Sequence, residues 1–129
     1  MAPNEEAAAQ WEHTAEADFK AMEVLLEADV PREVVAFHAQ QWIEKLLKGI
    51  IAFGGDDPPR THDLNLLLEL TVPGTVDADL ASFARQLTPY AVLARYPGLQ
   101  SDLDEETCRR LVSHARRIAS WASSRLHPG

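Results

Sequence analysis

Apolar side chains recur every three or four residues along most of this chain. That spacing places them on one face of an α-helix, and no stretch shows the sustained alternation of a half-buried β-strand. We therefore expect an all-α protein, an up-and-down antiparallel four-helix bundle with an extra short helix. A length of 129 residues suits one hydrophobic core, so a single helical domain is expected over residues 1–129.

Capping and breaking residues predict the ends of the first two helices. The first is expected over about residues 5–28 and the second up to residue 53. Asp29 is expected to cap the second helix, because its carboxylate can accept hydrogen bonds from free amides, and Pro31 suits the first turn because it has no N–H to satisfy. The glycine pair at 54–55 should end that helix.

The same signals divide the second half of the chain. After a loop, Thr61 is expected to cap a short helix over about residues 62–70. Pro89 lies inside the next predicted helix, over about 77–94, and should bend or split it. The last helix is expected over about 101–126, opening with a Ser-x-x-Asp form of the capping box.

The acidic charge is concentrated at the N-terminal end. The net charge is −8, and residues 1–30 hold eight acidic side chains against one lysine. Residues 101–129 instead hold five arginines against four acidic side chains. Because affinity for duplex DNA comes mostly from neutralising phosphates, no duplex DNA partner is expected, although a local basic patch could still hold a nucleotide or RNA.

Membrane, disulfide and metal chemistry are not indicated. No apolar run approaches the roughly 20 residues that span a bilayer, and the acidic N-terminus does not resemble a signal peptide, so a cytoplasmic protein is expected. The single cysteine, Cys108, cannot form an internal disulfide and is expected in the core. The histidines lack the spacing of helical metal sites and no glycine-rich phosphate loop is present, so no metal or other cofactor is expected.

Several polar residues could serve either structure or binding. The second helix has a broad apolar face, which indicates a central position in the bundle. Its remaining arc is polar and carries His38, Gln40, Gln41, Glu44, Lys45 and Lys48. Asp63 could oppose the dipole of the short helix, and Arg95 with Tyr96 could anchor a turn.

Five segments occur in the order and at the separations found in a known family. They are WEHTAEADFKAMEVLLE, AFHAQQWIEKLLKGIIAFGG, PPRTHDLNLL, ARYPG and a closing helix after an acidic cap. Over roughly residues 11–122 the chain resembles the HEPN family, the higher-eukaryote and prokaryote nucleotide-binding domain. His62-Asp63-Leu64 and Arg95-Tyr96-Pro97 match the His-Asp-Leu and Arg-Tyr-Pro motifs of one subgroup.

The resemblance implies a function in binding and assembly. Members are small helical bundles, often symmetric dimers, and many act with a minimal nucleotidyltransferase, some as toxin–antitoxin pairs. It implies a homodimer with such a partner and structural motif positions at Glu44, Asp63 and Tyr96. The candidate contacts to nucleotide or RNA phosphate are Lys45, Lys48, Arg60, His62 and Arg95.

Two alternatives remain open. Another branch of the family consists of metal-independent ribonucleases with an arginine and a histidine separated by four to six residues. No histidine follows Arg95 at that distance, whereas Arg109 and His114 satisfy the spacing but point about 140° apart on one helix. They could converge only across a dimer interface, so whether the protein is an enzyme is undecided. The second alternative is a purely structural helical partner protein.

Overall fold

The computed structural model describes residues 4–72, 74–93 and 103–128, and these residues form helices and no strand. The helices are α1 (Glu5–Leu26), α2 (Arg32–Phe53), α3 (Leu64–Thr71), α4 (Ala78–Leu87), α5 (Tyr90–Leu93) and α6 (Glu105–Leu126). The predicted all-α helical bundle is confirmed. None of the helices in these ranges is long and apolar enough to cross a membrane.

The central position predicted for α2 is also confirmed, because α2 contacts α1, α3, α4, α5 and α6. Its buried side chains, including Ile43 and Leu47, join a core completed by α1 residues such as Met22 and by leucines of α3. Cys108 is buried in the same core, as expected. Burial raises the pKa of its thiol, which disfavours the reactive thiolate.

The two ends of α2 differ in how well the sequence predicted them. Asp29 does not cap the helix: Pro31 occupies the N-cap position and no side chain caps it, so that prediction was wrong. Asp29 lies two residues too early for its carboxylate to be the N-cap group. The glycine stop is confirmed, since Gly55 adopts a positive φ of 95° and its N–H donates to the Ala52 carbonyl (2.9 Å).

The start of α3 is set by Asp63 and not by Thr61. The Asp63 carboxylate accepts hydrogen bonds from the backbone N–H groups of Asn65 (3.0 Å) and Leu66 (3.4 Å). Thr61 Oγ1 instead accepts a hydrogen bond from the Asp63 N–H (3.1 Å). Thr61 therefore helps to position Asp63, the capping residue, and does not itself cap an amide of the helix. The helix consequently begins two residues later than predicted.

Proline and acidic caps divide the C-terminal half. The break at Pro89 is confirmed, because α4 ends at Leu87 and α5 begins at Tyr90. The predicted start of α6 at residue 101 was too early: Asp104 is itself the N-cap and accepts a hydrogen bond from the Thr107 N–H (2.7 Å). Ser101 lies outside the described residues.

Candidate functional site

Two buried carboxylates organise the polar side chains between the helices. Asp18 on α1 is 8% exposed and Glu44 on α2 is 4% exposed. A buried carboxylate is stable only when it is paired and hydrogen-bonded, so its partners are fixed along with it. Each carboxylate collects one lysine and one histidine.

The Glu44 cluster joins α2 to the segment before α3. Glu44 Oε1 accepts hydrogen bonds from His62 Nδ1 (2.8 Å) and Gln40 Nε2 (3.2 Å), and Oε2 accepts from Lys48 Nζ (3.0 Å). Gln40 Nε2 also donates to the His62 carbonyl oxygen (3.0 Å). The backbone and the ring of His62 are therefore both tied to α2, although its side chain is 47% exposed.

The Asp18 cluster joins α1 to α2. Asp18 Oδ1 accepts a hydrogen bond from His38 Nδ1 (2.9 Å), and Oδ2 accepts from Lys45 Nζ. Asp18 follows Ala15 by three residues and precedes Met22 by four, so it falls on the apolar stripe of α1. Our sequence reasoning missed this residue, and the charged side chain within that stripe was the signal that could have revealed it.

The polar arc predicted on α2 is mostly an interior surface. Gln40, Gln41, Glu44 and Lys48 are buried, and Lys48 Nζ also lies 5.7 Å from the ring centroid of Trp11. Every buried side-chain nitrogen and oxygen of the described residues has a hydrogen-bond partner. The candidate binding residues Lys45 and Lys48 are thus both engaged in ion pairs within the protein.

The exposed part of the candidate site is the segment between α2 and α3. Arg60 is exposed and forms no ion pair with any described residue, and His62 exposes about half of its side chain two residues later. Asp63 is committed to capping α3. The remaining candidates, Arg95 and Tyr96, lie outside the described residues.

The two catalytic candidates, Arg109 and His114, occupy different environments on α6. Arg109 pairs with Glu27 (3.5 Å) and Glu105 (3.2 Å), at a cleft of about 710 Å³ between the α1–α2 turn and the start of α6. His114 instead stacks on Phe83 of α4, with ring centroids 4.3 Å apart. Within one chain the structure does not bring Arg109 and His114 together.

The electrostatic environment of His114 favours the neutral imidazole. Partial burial lowers its pKa below the ordinary histidine value, and the positive charges of Arg110 and Arg117 lower it further. Over the described ranges, no group of three or more histidine, cysteine, aspartate or glutamate side chains is placed to hold a metal ion.

Solved structures share this arrangement of helices. An archaeal HEPN homologue, ST0689, superposes with a TM-score of 0.73 at 23% identity, covering 93% of this chain and 98% of that one. TT1696 from Thermus thermophilus superposes with a TM-score of 0.76 at 22% identity, covering 92% of this chain and 97% of that one. At these identities the similarity shows a shared fold.

Sequence comparison identifies the family. A search of curated proteins gave no match. The family model described as "HEPN domain" matches residues 8–126, which is nearly the whole chain. The protein therefore belongs to the HEPN domain family.

Proposed function

We propose that this HEPN-domain protein is an interaction module that binds the phosphate of a nucleotide or of RNA at the segment between α2 and α3. The observation that carries the proposal is the fixed, exposed His62 beside Arg60, which forms no ion pair with a residue that the structure describes. An arginine and a histidine side chain can hold a phosphate through charge-assisted hydrogen bonds, and this segment exposes one of each.

The Glu44 cluster prepares His62 for such a contact. Because Nδ1 donates to Glu44, the other ring nitrogen, Nε2, is the one left for a ligand, and it donates to a phosphate oxygen when the ring carries both protons. The second hydrogen bond, from Gln40 to the His62 carbonyl, holds the backbone in place, so little conformational freedom is lost on binding. Lys48 supports this contact by neutralising Glu44, whereas Lys45 is paired with Asp18 between α1 and α2. Arg95 is proposed as a further phosphate contact.

We also propose that the protein is a homodimer that acts with a minimal nucleotidyltransferase in a toxin–antitoxin-like pair. Membership of the HEPN family and the His62-Asp63-Leu64 motif support this assignment. Co-expression with a minimal nucleotidyltransferase encoded beside it should give a complex that survives affinity purification and gel filtration. Separate elution of the two proteins would contradict the partnership.

Calorimetric titration tests the ligand. Wild-type protein should bind ATP or GTP with a dissociation constant below about 1 mM, and Arg60→Gln should raise that constant about tenfold, since one charged hydrogen bond is lost. Arg116→Gln is the matched control, because it removes the same charge from an arginine already paired with Glu23 (2.9 Å). Absence of binding by wild type, or equal weakening by both variants, would reject the proposed site.

A further inference from the structure

Helix α6 carries a second group of positive and aromatic side chains, on its outer surface. We call this group the α6 stripe; its members are Arg110, His114, Arg117, Trp121 and Arg125. At about 100° per residue these five side chains fall within an arc of about 80°, and at about 1.5 Å per residue they extend over about 22 Å.

The arginines of the α6 stripe differ from the other arginines of the same helix in their partners. Arg109 and Arg116 lie toward α1 and form ion pairs with Glu27 and Glu23. No arginine of the stripe forms an ion pair with a residue in the described part of the chain, and Arg110 Nη2 donates only to Thr107 Oγ1 (3.2 Å). No acidic residue follows Glu106 in the sequence. One edge of α6 is thus neutralised and the other remains positive.

Aromatic rings alternate with these charges. The guanidinium carbon of Arg117 lies 5.4 Å from the ring centroid of Phe83, and that of Arg125 lies 5.0 Å from the ring centroid of Trp121. A guanidinium that contacts a ring in this way keeps N–H groups available for a second partner. Trp121 is half-buried, so part of its ring is accessible.

We propose that the α6 stripe binds a single strand of nucleic acid. Arginines separated by one or two helical turns would contact successive phosphates, and the accessible part of Trp121 would stack against an unpaired base. A duplex keeps its bases inside, so the ring would have nothing to stack on. The acidic side chains of α1 lie along the opposite edge of α6 and would repel phosphates placed there. A bound single strand would therefore lie on the side of α6 that faces α4, whereas a duplex is wide enough to meet those acidic side chains.

Fluorescence anisotropy with a labelled oligouridylate of about 12 nucleotides tests this surface. Arg110→Gln/Arg117→Gln should weaken binding about tenfold or more, and should reduce the slope of log K against log salt by about 1.4, since two phosphate contacts are lost. Arg109→Gln/Arg116→Gln removes the same charge from neighbouring positions and should stay within about threefold of wild type. Circular dichroism should show that both variants are folded.

Several results would overturn the inference. One is no binding by the wild type at low salt, and another is equal weakening by the two double variants. A third is a change of oligomeric state in Arg110→Gln/Arg117→Gln but not in the other double variant, which would identify the stripe as a contact between copies of the protein. Oligothymidylate should bind with an affinity similar to that of oligouridylate, because the stripe contacts phosphates and bases and not the sugar. Duplex DNA or polyglutamate that competes as well as the single strand would also contradict the inference.

This surface is independent of the proposed phosphate site before α3, and one variant separates them. Arg60→Gln should weaken binding of the labelled strand less than Arg110→Gln/Arg117→Gln does, even though it loses affinity for a mononucleotide. Loss of strand binding in Arg60→Gln with retention in Arg110→Gln/Arg117→Gln would place the strand at the α2–α3 segment and reject the α6 stripe.

Discussion

At the scale of single residues, the buried carboxylates decide what the neighbouring cations can do. Lys45 and Lys48 are spaced in the sequence like exposed residues of a helix, yet each contacts a carboxylate that has little contact with water. Breaking such a pair from one side leaves an uncompensated charge in the interior, which costs far more than the pair itself contributes.

Glu44→Ala tests this view of the Glu44 cluster. We expect a loss of about 3 kcal/mol or more in the free energy of unfolding, because Lys48 stays buried without its partner. Adding Lys48→Met should restore part of that loss by removing the unpaired ammonium while keeping its packing. Urea unfolding followed by circular dichroism gives both values. A double variant no more stable than Glu44→Ala alone would show that Lys48 is not the destabilised group.

At the scale of helices, local chemistry sets most ends and one stacked pair joins α4 to α6. The break at Pro89 needs only the missing N–H of proline, so it was predictable from the sequence. The starts of α3 and α6 were less predictable, because threonine, serine and aspartate compete for the cap within a few residues. At both starts the aspartate immediately before the helix is the cap.

The stack of His114 on Phe83 makes the α4–α6 contact sensitive to pH. Because burial lowers the pKa of His114 in the folded protein, the unfolded chain binds this proton more readily. The contribution of the neutral His114 ring to the free energy of unfolding is therefore complete above about pH 6.5 and is lost as the pH falls below that value. The charged groups that act on His114 are Arg110 and Arg117 of α6, and Phe83 of α4 covers its ring.

His114→Phe isolates this effect, since phenylalanine keeps a ring against Phe83 and cannot be protonated. Between about pH 7.5 and about pH 5 the melting temperature of the wild type should fall more than that of the variant. All other titrating groups are common to the two proteins, so they cancel in the difference. Parallel melting curves across this range would contradict the expected protonation effect.

At the scale of the whole molecule, the three long helices meet at Gly49. A Cβ atom added there would lie 3.3 Å from Trp11 Cβ of α1, 3.7 Å from the Ala8 carbonyl oxygen and 3.8 Å from Leu126 Cδ2 of α6. A larger side chain at this position would push α1 and α6 away from α2 together. At this glycine α1 and α6 thus both pack closely against α2.

Gly49→Leu should therefore lower the free energy of unfolding by about 1 to 3 kcal/mol or more, because the core would be overpacked. Gly54→Leu is the control: Gly54 lies at the exposed end of α2 with φ −75°, where other residues are allowed. Chemical unfolding of both variants measures the difference. Equal losses would mean that the helices can separate at Gly49 without strain.

The sequence by itself determined the helical class, the family, the central place of α2 and the break at Pro89. These features follow from periodicity and local backbone chemistry, or from motifs in order along the chain. It also identified Glu44 and His62 as notable residues, but it did not show that they are bonded to each other, because 18 residues separate them.

Only the tertiary structure decided which polar residues are accessible. The arc of α2 around Lys48 faces α1 and the segment before α3, and this orientation depends on how whole helices pack against one another. The same packing directs Arg109 and Arg116 toward the acids of α1 and leaves their neighbours Arg110 and Arg117 without them. Adjacent residues of identical type thus differ in charge environment, because a helix turns about 100° from one residue to the next.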